Sequence, residues 1–315
     1  MKLVFCGTPS FAVPTLKAVL RAGHKVELVL SQPDRPAGRG MQLVVPPVKE
    51  VAKVSDIPIT QPEKIKNNVE LRTQLEGIQP DAIIVVAYGR IIPKWMLDLP
   101  RFGNLNLHGS LLPKYRGAAP IQWAVANGEP ATGVTTMRLD EGLDTGDILM
   151  QREMPIAPDQ TAVDLFPLLA EMGAALMVET LDGLAAGTLQ PTKQDNSQAT
   201  LAPLLTRHDG RIDFKHPAMT IYNRWRGFQP WPGAWTLLGG KKLSVHRLMP
   251  LEPSALSGGP AEPASMRVED GRLFVRCGEK TWLELVEVQL EGKKRMAASD
   301  FLRGHPLKAG DRLGP

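Results

Sequence analysis

The chain has 315 residues, which suggests about two domains, and its 43% apolar and 22% charged composition is ordinary for a globular protein and excludes disordered or collagen-like chains. The 37 Lys and Arg against 33 Asp and Glu leave a formal charge of only +4, too small to identify a partner as an average. Residues 1–208 hold 20 basic and 21 acidic side chains and residues 209–315 hold 17 and 12, so the whole excess belongs to the C-terminal third.

Leu3 to Cys6, Gly7-Thr8-Pro9, the apolar positions Phe11, Val13, Leu16, Val19 and Leu20, and then Val26 to Leu30 read as strand, turn, helix and strand. Pro9 suits a first helical turn and Thr8 a cap before it. The stretch G-T-P-S-F-A lacks the second and third glycines of the dinucleotide fingerprint, so the layout is Rossmann-like without that pyrophosphate grip. Residues 34–48 carry three prolines, two glycines and two arginines and read as one long loop, a length usually associated with function. An amphipathic stretch, Val69 to Ile78, precedes Ala82 to Ala87, whose continuous apolar character fits a strand covered on both faces of a central parallel sheet. That six-residue run is far short of the ~20 residues needed to cross a bilayer.

Gly103 to His108 and Thr132 to Leu139 read as further strands, and Ala162 to Gly187 as the longest helix. Between Thr188 and His208 the chain turns rich in Pro, Gln, Thr, Asn and Ser without periodicity, as a linker would. Beyond it a helix over Pro217 to Gly227 precedes five short β-like runs: Ala234 to Leu238, Lys242 to Leu248, Met266 to Val268, Leu273 to Cys277 and Thr281 to Gln289. They suggest a small barrel or sandwich. The expected division is 1–189, a linker at 190–208, and 209–315. Met1-Lys2 leads straight into the first strand without a targeting pattern, and Cys6 and Cys277 stand 271 positions apart with no C-x-x-C pair, so a cytoplasmic chain without a disulfide or structural metal is expected.

Two of the six histidines, His24 and His108, fall in residues 1–189. His24 ends a helix and reads as a surface group favoured by the helix dipole. His108 closes a strand before Gly-Ser-Leu-Leu-Pro, which places it at the carboxyl edge of the sheet, where open α/β sheets bind ligands. Asn106, two residues earlier, shares its face. An amide and an imidazole together can donate to an oxyanion and handle a proton, although for N-x-H taken alone a structural hydrogen-bonded pair is the commoner explanation. Asp140 to Asp147 offers a carboxylate partner or an ordinary solvated turn.

Asn106-x-His108, the following Ser110-Leu111-Leu112-Pro113-Lys114-Tyr115-Arg116-Gly117, and Asp144 in G-L-D-T-G-D 36 positions after the histidine resemble the signature of the 10-formyltetrahydrofolate-dependent formyltransferases. Gly7-Thr8-Pro9, Gln32 to Gly40, Val86-Ala87-Tyr88-Gly89, Gly117 to Ile121 and Pro230-Trp231-Pro232 extend the similarity over nearly the whole chain, most closely to members that formylate methionyl initiator tRNA. The resemblance implies an α/β fold: a Rossmann-like N-terminal catalytic domain with a parallel central sheet and a small C-terminal OB-like β-barrel that binds tRNA. It implies 10-formyltetrahydrofolate as formyl donor without metal, and a monomer is expected. It assigns catalysis to Asn106, His108 and Asp144, folate binding to Ser110, Leu111, Leu112 and Pro113, and tRNA contact to Arg39. Lys114 and Arg116 face the folate tail or tRNA phosphates, or form a solvated pair. Met41-Gln42 replaces a basic pair common in the family and weakens the loop's charge. Lys241-Lys242 and Lys293-Lys294-Arg295 are candidate phosphate contacts or merely solvated runs, and Trp231 and Trp235 read as core. The alternatives at this point are a formyltransferase for a small amine such as an amino-sugar nucleotide, a non-enzymatic tRNA-binding module, and, least favoured because its glycine fingerprint is incomplete, a dehydrogenase.

Overall fold

The computed structural model describes residues 1–37, 42–252, 256, 262–307 and 311–314. They separate into two compact units: residues 1–121, 131–155 and 164–203 in one, and 122–130, 156–163 and 204–315 in the other. Short stretches of the N-terminal half therefore belong to the second unit, and the first extends past residue 189 to Pro203.

The first unit opens with β1 (Lys2–Gly7), α1 (Val13–Arg21) and β2 (Lys25–Leu30). A hairpin of β3 (Arg35–Ala37) and β4 (Gln42–Val44) follows, then α2 (Pro47–Val54), β5 (Ile59–Thr60), α3 (Val69–Ile78) and β6 (Ala82–Val86). Next come α4 (Lys94–Leu97), β7 (Asn104–His108), α5 (Pro120–Ala126), most of which is counted with the second unit, β8 (Ala131–Arg138), β9 (Ile148–Pro155) and α6 (Ala162–Ala186). The sheet order is β5-β2-β1-β6-β7-β8-β9. The first five strands are parallel, as expected, but β8 and β9 are antiparallel additions, so the sheet is mixed. Every residue of β6 is buried, the outcome its unbroken apolar run requires of a strand covered on both faces. Leu28, Leu30, Leu71, Leu75, Ile83 and Met96 share one core cluster with Cys6 and Tyr88. Across the sheet, α6 lies close on β7: a Cβ at Gly173 would meet the Leu107 side chain at 2.6 Å.

Three local readings change. Thr8 is not a helix cap; its hydroxyl donates to the Tyr88 carbonyl (3.2 Å) and accepts from the Gln32 amide (3.3 Å), because Ala87 and Gly89 turn with positive φ and leave that carbonyl to be satisfied from neighbouring strands. The first-turn proline of α1 is Pro14. The loop at 34–48 is partly a hairpin, Arg35 pairing with Val44 and Pro36 with Leu43. Its base is held by Lys49, which donates to Asp34 (2.8 Å) and Gln61 (2.6 Å). Arg39 and Met41 lie outside the described residues. His24 is 9% exposed rather than a surface group, and burial, then the adjacent N-terminal ammonium, push its pKa down.

In the second unit α7 (Ala218–Gly227) precedes β10 (Ala234–Leu238), β11 (Lys241–Pro250), β12 (Met266–Glu269), β13 (Arg272–Arg276), β14 (Trp282–Leu290), β15 (Met296–Ala297) and α8 (Ala298–Gly304). The strands run β10-β11-β14-β13-β12, all pairs antiparallel, with β15 on β14. The chain end joins the two sides of this sheet. The Leu313 amide donates to the Ala264 carbonyl before β12, and the Gly314 amide donates to the Leu237 carbonyl of β10, both at 2.9 Å. Leu313 enters the core formed by Leu243, Val245, Leu285, Val288 and Phe301. The expected barrel is thus an antiparallel sheet whose edges are bridged by residues 313–314.

Candidate active site

Parallel strands deliver their carboxyl ends to one edge, and the sequence motifs converge there. Gln32, after β2, donates through Nε2 to the carbonyls of Tyr88 (3.1 Å) and Gly89 (3.0 Å), after β6. Next in the sheet, Val85 of β6 pairs with Asn106 of β7. All five residues of β7 are buried, including Asn106 at 9% and His108 at 6% exposure. Among the described residues the Asn106 carboxamide has no hydrogen-bond partner, unlike that of Asn104, whose Nδ2 donates to the Met96 (2.8 Å) and Leu97 (3.2 Å) carbonyls. No Asn106 atom is among the fully buried polar atoms without a partner, so this largely buried carboxamide keeps enough access to hydrogen-bond an incoming group.

His108 Nε2 lies 2.8 Å from the Tyr115 carbonyl. A carbonyl only accepts, so Nε2 carries the hydrogen, and the nitrogen that gains or loses a proton is Nδ1. Nδ1 faces Asp144 Oδ2 at 3.7 Å. The same Oδ2 accepts from the Gly117 amide at 2.8 Å. Gly117 has φ of +119°, and a Cβ there would strike the Ala202 carbonyl oxygen at 2.7 Å, so the backbone donor that holds Asp144 depends on glycine. Asp144 itself is in the left-handed region at φ +51°. The structure thus brings Asn106, His108 and Asp144 to one end of β7.

The segment Ser110 to Pro113 begins two residues beyond His108. The Ser110 hydroxyl is fully buried and donates to the Lys114 carbonyl at 2.6 Å. Thr135 of β8 donates to the Ser110 carbonyl at 2.6 Å and accepts from the Leu112 amide at 3.2 Å. Gln151 of β9 donates to the Leu112 carbonyl at 2.8 Å. Lys114 and Thr200 amides donate to the carbonyls of Leu111 and Pro113. The turn is therefore locked by β8, β9 and residue 200, with its carbonyls already engaged.

Arg116 is neither solvated nor turned to a phosphate. It is 7% exposed, and its guanidinium donates to Gln194 Oε1 through Nε (3.1 Å) and Nη2 (2.8 Å) and to Asn196 Oδ1 (2.8 Å). Gln194 Nε2 in turn donates to the carbonyls of Asp144 (2.8 Å) and Gly146 (2.7 Å). Residues 192–202, read from composition as linker, run along the site: Thr192 bridges Ile148, Thr200 Oγ1 accepts from the Tyr115 amide, and Leu201 bridges Arg116. Sequence reasoning passed over Gln194, Asn196 and Thr135. Only the local richness in Gln and Asn could have pointed to the first two.

In the second unit the two lysine runs come together. Lys242 and Glu291 exchange hydrogen bonds, the Glu291 amide donating to the Lys242 carbonyl (2.8 Å) and the Lys242 amide to Glu291 Oε2 (3.3 Å). This pairing puts exposed Lys241 and Lys242 beside the turn carrying exposed Lys293 and Lys294. Arg295 is different, because Glu287 pairs with it, Nε to Oε1 at 2.6 Å. Trp231, expected in the core, is 51% exposed. Trp235 is half-buried, donates to the Arg207 carbonyl (3.1 Å), and has Lys242 Nζ 5.3 Å from its ring centroid.

No helix among the described residues is long and apolar enough to cross a membrane. Nor do the described residues contain a group of three or more His, Cys, Asp or Glu arranged to hold a metal ion.

Comparison with known proteins agrees with this architecture. Residues 1–181 match the formyl transferase family and residues 204–306 the formyl transferase C-terminal domain. The methionyl-tRNA formyltransferase of Acidobacterium capsulatum is 69% identical over 314 residues, covering 100% of both chains, and that of Koribacter versatilis is 57% identical, covering 100% of this chain and 99% of its own. An N-formyltransferase from Helicobacter canadensis, solved with folinic acid and dTDP-3-aminofucose, shares the fold with a TM-score of 0.65 at 19% identity, over 90% of this chain and 98% of its own. The chain belongs to the methionyl-tRNA formyltransferase family.

Proposed function

We propose that the chain, acting as a monomer in the cytoplasm, transfers the formyl group of 10-formyltetrahydrofolate to the α-amino group of methionyl initiator tRNA. The observation that carries this reading is the cluster at the end of β7: an Asn106 carboxamide that no protein group engages among the described residues, on the same strand face as His108, whose Nδ1 faces Asp144. The names of the relatives supply the substrate, and the folate bound by the structural neighbour supports the class of donor.

The folate supplies a formyl group on N10, and the incoming amine attacks its carbon. Negative charge builds on the formyl oxygen, and Asn106 Nδ2 is the donor placed to meet it. Preorganised donors of this kind are worth about 3 to 4 kcal/mol each. The amine loses one proton and N10 gains one, so the site needs a group that holds a proton in the interval. His108 does this at Nδ1, while its Nε2 bond to Tyr115 fixes the ring. Asp144 faces that nitrogen at 3.7 Å and is itself held by Gly117. The attacking α-amino group, with an ordinary pKa near about 7.7 to 8, needs little further activation. Ser110 to Pro113 form the wall against which the folate lies. Its contribution is a fixed surface, because its carbonyls already have partners. Arg39 contacts the acceptor end of the tRNA, and Lys241, Lys242, Lys293 and Lys294 hold phosphates.

The test is transfer of labelled formyl from 10-formyltetrahydrofolate to charged initiator tRNA, beside an amino-sugar nucleotide as alternative acceptor. Product on the tRNA alone is expected. Product on the sugar alone refutes the assignment. RNA binding with no product on either acceptor would leave only a binding module.

A further inference from the structure

Asp144 stands in a loop with few apolar anchors: Glu141, Gly142 and Leu143 before it are exposed, and its own backbone is in the left-handed region. Something must hold its carboxylate toward His108. Gly117 fixes one oxygen. The backbone is fixed from behind by Gln194, whose amide hydrogens are both used, one on the Asp144 carbonyl and one on the Gly146 carbonyl. This works only if the amide is turned the right way. With its two ends exchanged, an oxygen would face two carbonyl oxygens. Arg116 prevents the exchange, since its Nε and Nη2 hydrogens both point at Gln194 Oε1, a position that only an acceptor can fill. Asn196 Oδ1 takes a further Nη2 hydrogen and fixes the guanidinium.

Resting on the reading of Asp144 given above, we propose that Arg116 and Gln194 are positioning residues for the reaction: Arg116 sets the orientation of the Gln194 amide, and that amide sets the place of the Asp144 carboxylate. Neither residue is assigned to substrate. The segment at 192–202 is thereby part of the catalytic apparatus. Its polar residues hold the carboxylate end of a buried triad across 50 positions of sequence.

Gln194→Glu separates this role from a merely structural one. The new carboxylate keeps both contacts with Arg116 and makes them an ion pair, so a residue needed only to satisfy a buried guanidinium is improved by it. It has no hydrogens for the Asp144 and Gly146 carbonyls. Gln194→Met removes the donors without adding charge. For both variants kcat should fall about 10- to 100-fold, the cost of a small misplacement at a reacting centre, with KM for folate and for charged tRNA within about twofold, measured at a temperature where circular dichroism shows each variant folded. Combined with Asp144→Asn, Gln194→Met should cost no further kcat, because the two act as one unit.

Unchanged kcat in both single variants overturns the proposal, as does a full multiplicative loss in the double variant. If Asp144→Asn alone retains wild-type kcat, the catalytic reading beneath the proposal has failed instead. If Gln194→Met unfolds, Gln194→Glu still decides.

Discussion

Replacing Asp144 with Asn isolates the charge of the His108 and Asp144 pair. Asparagine tolerates the left-handed backbone that this position occupies, and its carbonyl oxygen can still accept from the Gly117 amide, so the loop keeps its conformation. What disappears is a negative charge 3.7 Å from His108 Nδ1. At an effective dielectric of about 20 this separation corresponds to about 4 kcal/mol between unit charges. The carboxylate is 15% exposed, so this is an upper bound, and part of it is screened. If the imidazolium form carries the proton during transfer, kcat should drop by about 10²- to 10³-fold, each tenfold corresponding to about 1.4 kcal/mol. Rapid-quench formylation of charged tRNA at saturating folate measures the step. A kcat within about threefold of wild type, in a variant that melts at the same temperature, would refute the electrostatic role of Asp144.

Three further outcomes are expected. Changing Lys241, Lys242, Lys293 and Lys294 to Gln should reduce the slope of log affinity for tRNA against log salt by up to about one unit per lysine that contacts phosphate, whereas changing the Glu287-paired Arg295 should alter it less; equal slopes in both variants would contradict the proposed patch. Asp34 has its pKa lowered by hydrogen bonds from Gln61 and then Lys49, so its folded-state value is depressed. The stability it contributes should be present above the unfolded pKa of about 3.9 and lost as pH falls through the folded value, so the stability gap between wild type and Asp34→Asn in chemical denaturation should be open near neutrality and close in acid. Leu313→Ala should destabilise the second unit by about 2 to 3 kcal/mol, because this buried side chain closes a core although it lies two residues from the chain end; a change under about 0.5 kcal/mol in urea unfolding would show that the terminal residues do not brace the sheet.

The elements most legible in the sequence are those whose burial follows a simple period. Ala82 to Val86 has no polar residue and is buried throughout, and Val69–Ile78 forms the helix its spacing predicts, with Leu71 and Leu75 inside. The five short C-terminal runs became β10 to β14 with small changes at their ends. Strand direction was less legible, since an apolar run reads alike in either pairing: β8 proved antiparallel to β7, and β9, antiparallel to β8, was not read as a strand at all. Polar residues were hardest. Thr8 has the chemistry of a cap, but its hydroxyl serves a carbonyl 80 positions away. Arg116 could equally have been solvated, and what buries it is an amide 78 positions later, in a segment whose composition resembles a tether. Motif spacing brought Asn106, His108 and Asp144 into view together; it could not indicate what holds Asp144 in place.

The central claim is that the end of β7 activates a formyl group for attack by the amine of charged initiator tRNA. The most direct measurement is single-turnover formylation with Asn106→Ala, because Asn106 presents a buried donor with no other task among the described residues. The rate should fall by about 10²- to 10³-fold while folate and tRNA affinities stay near wild type. A single-turnover rate equal to that of the wild type would contradict the account.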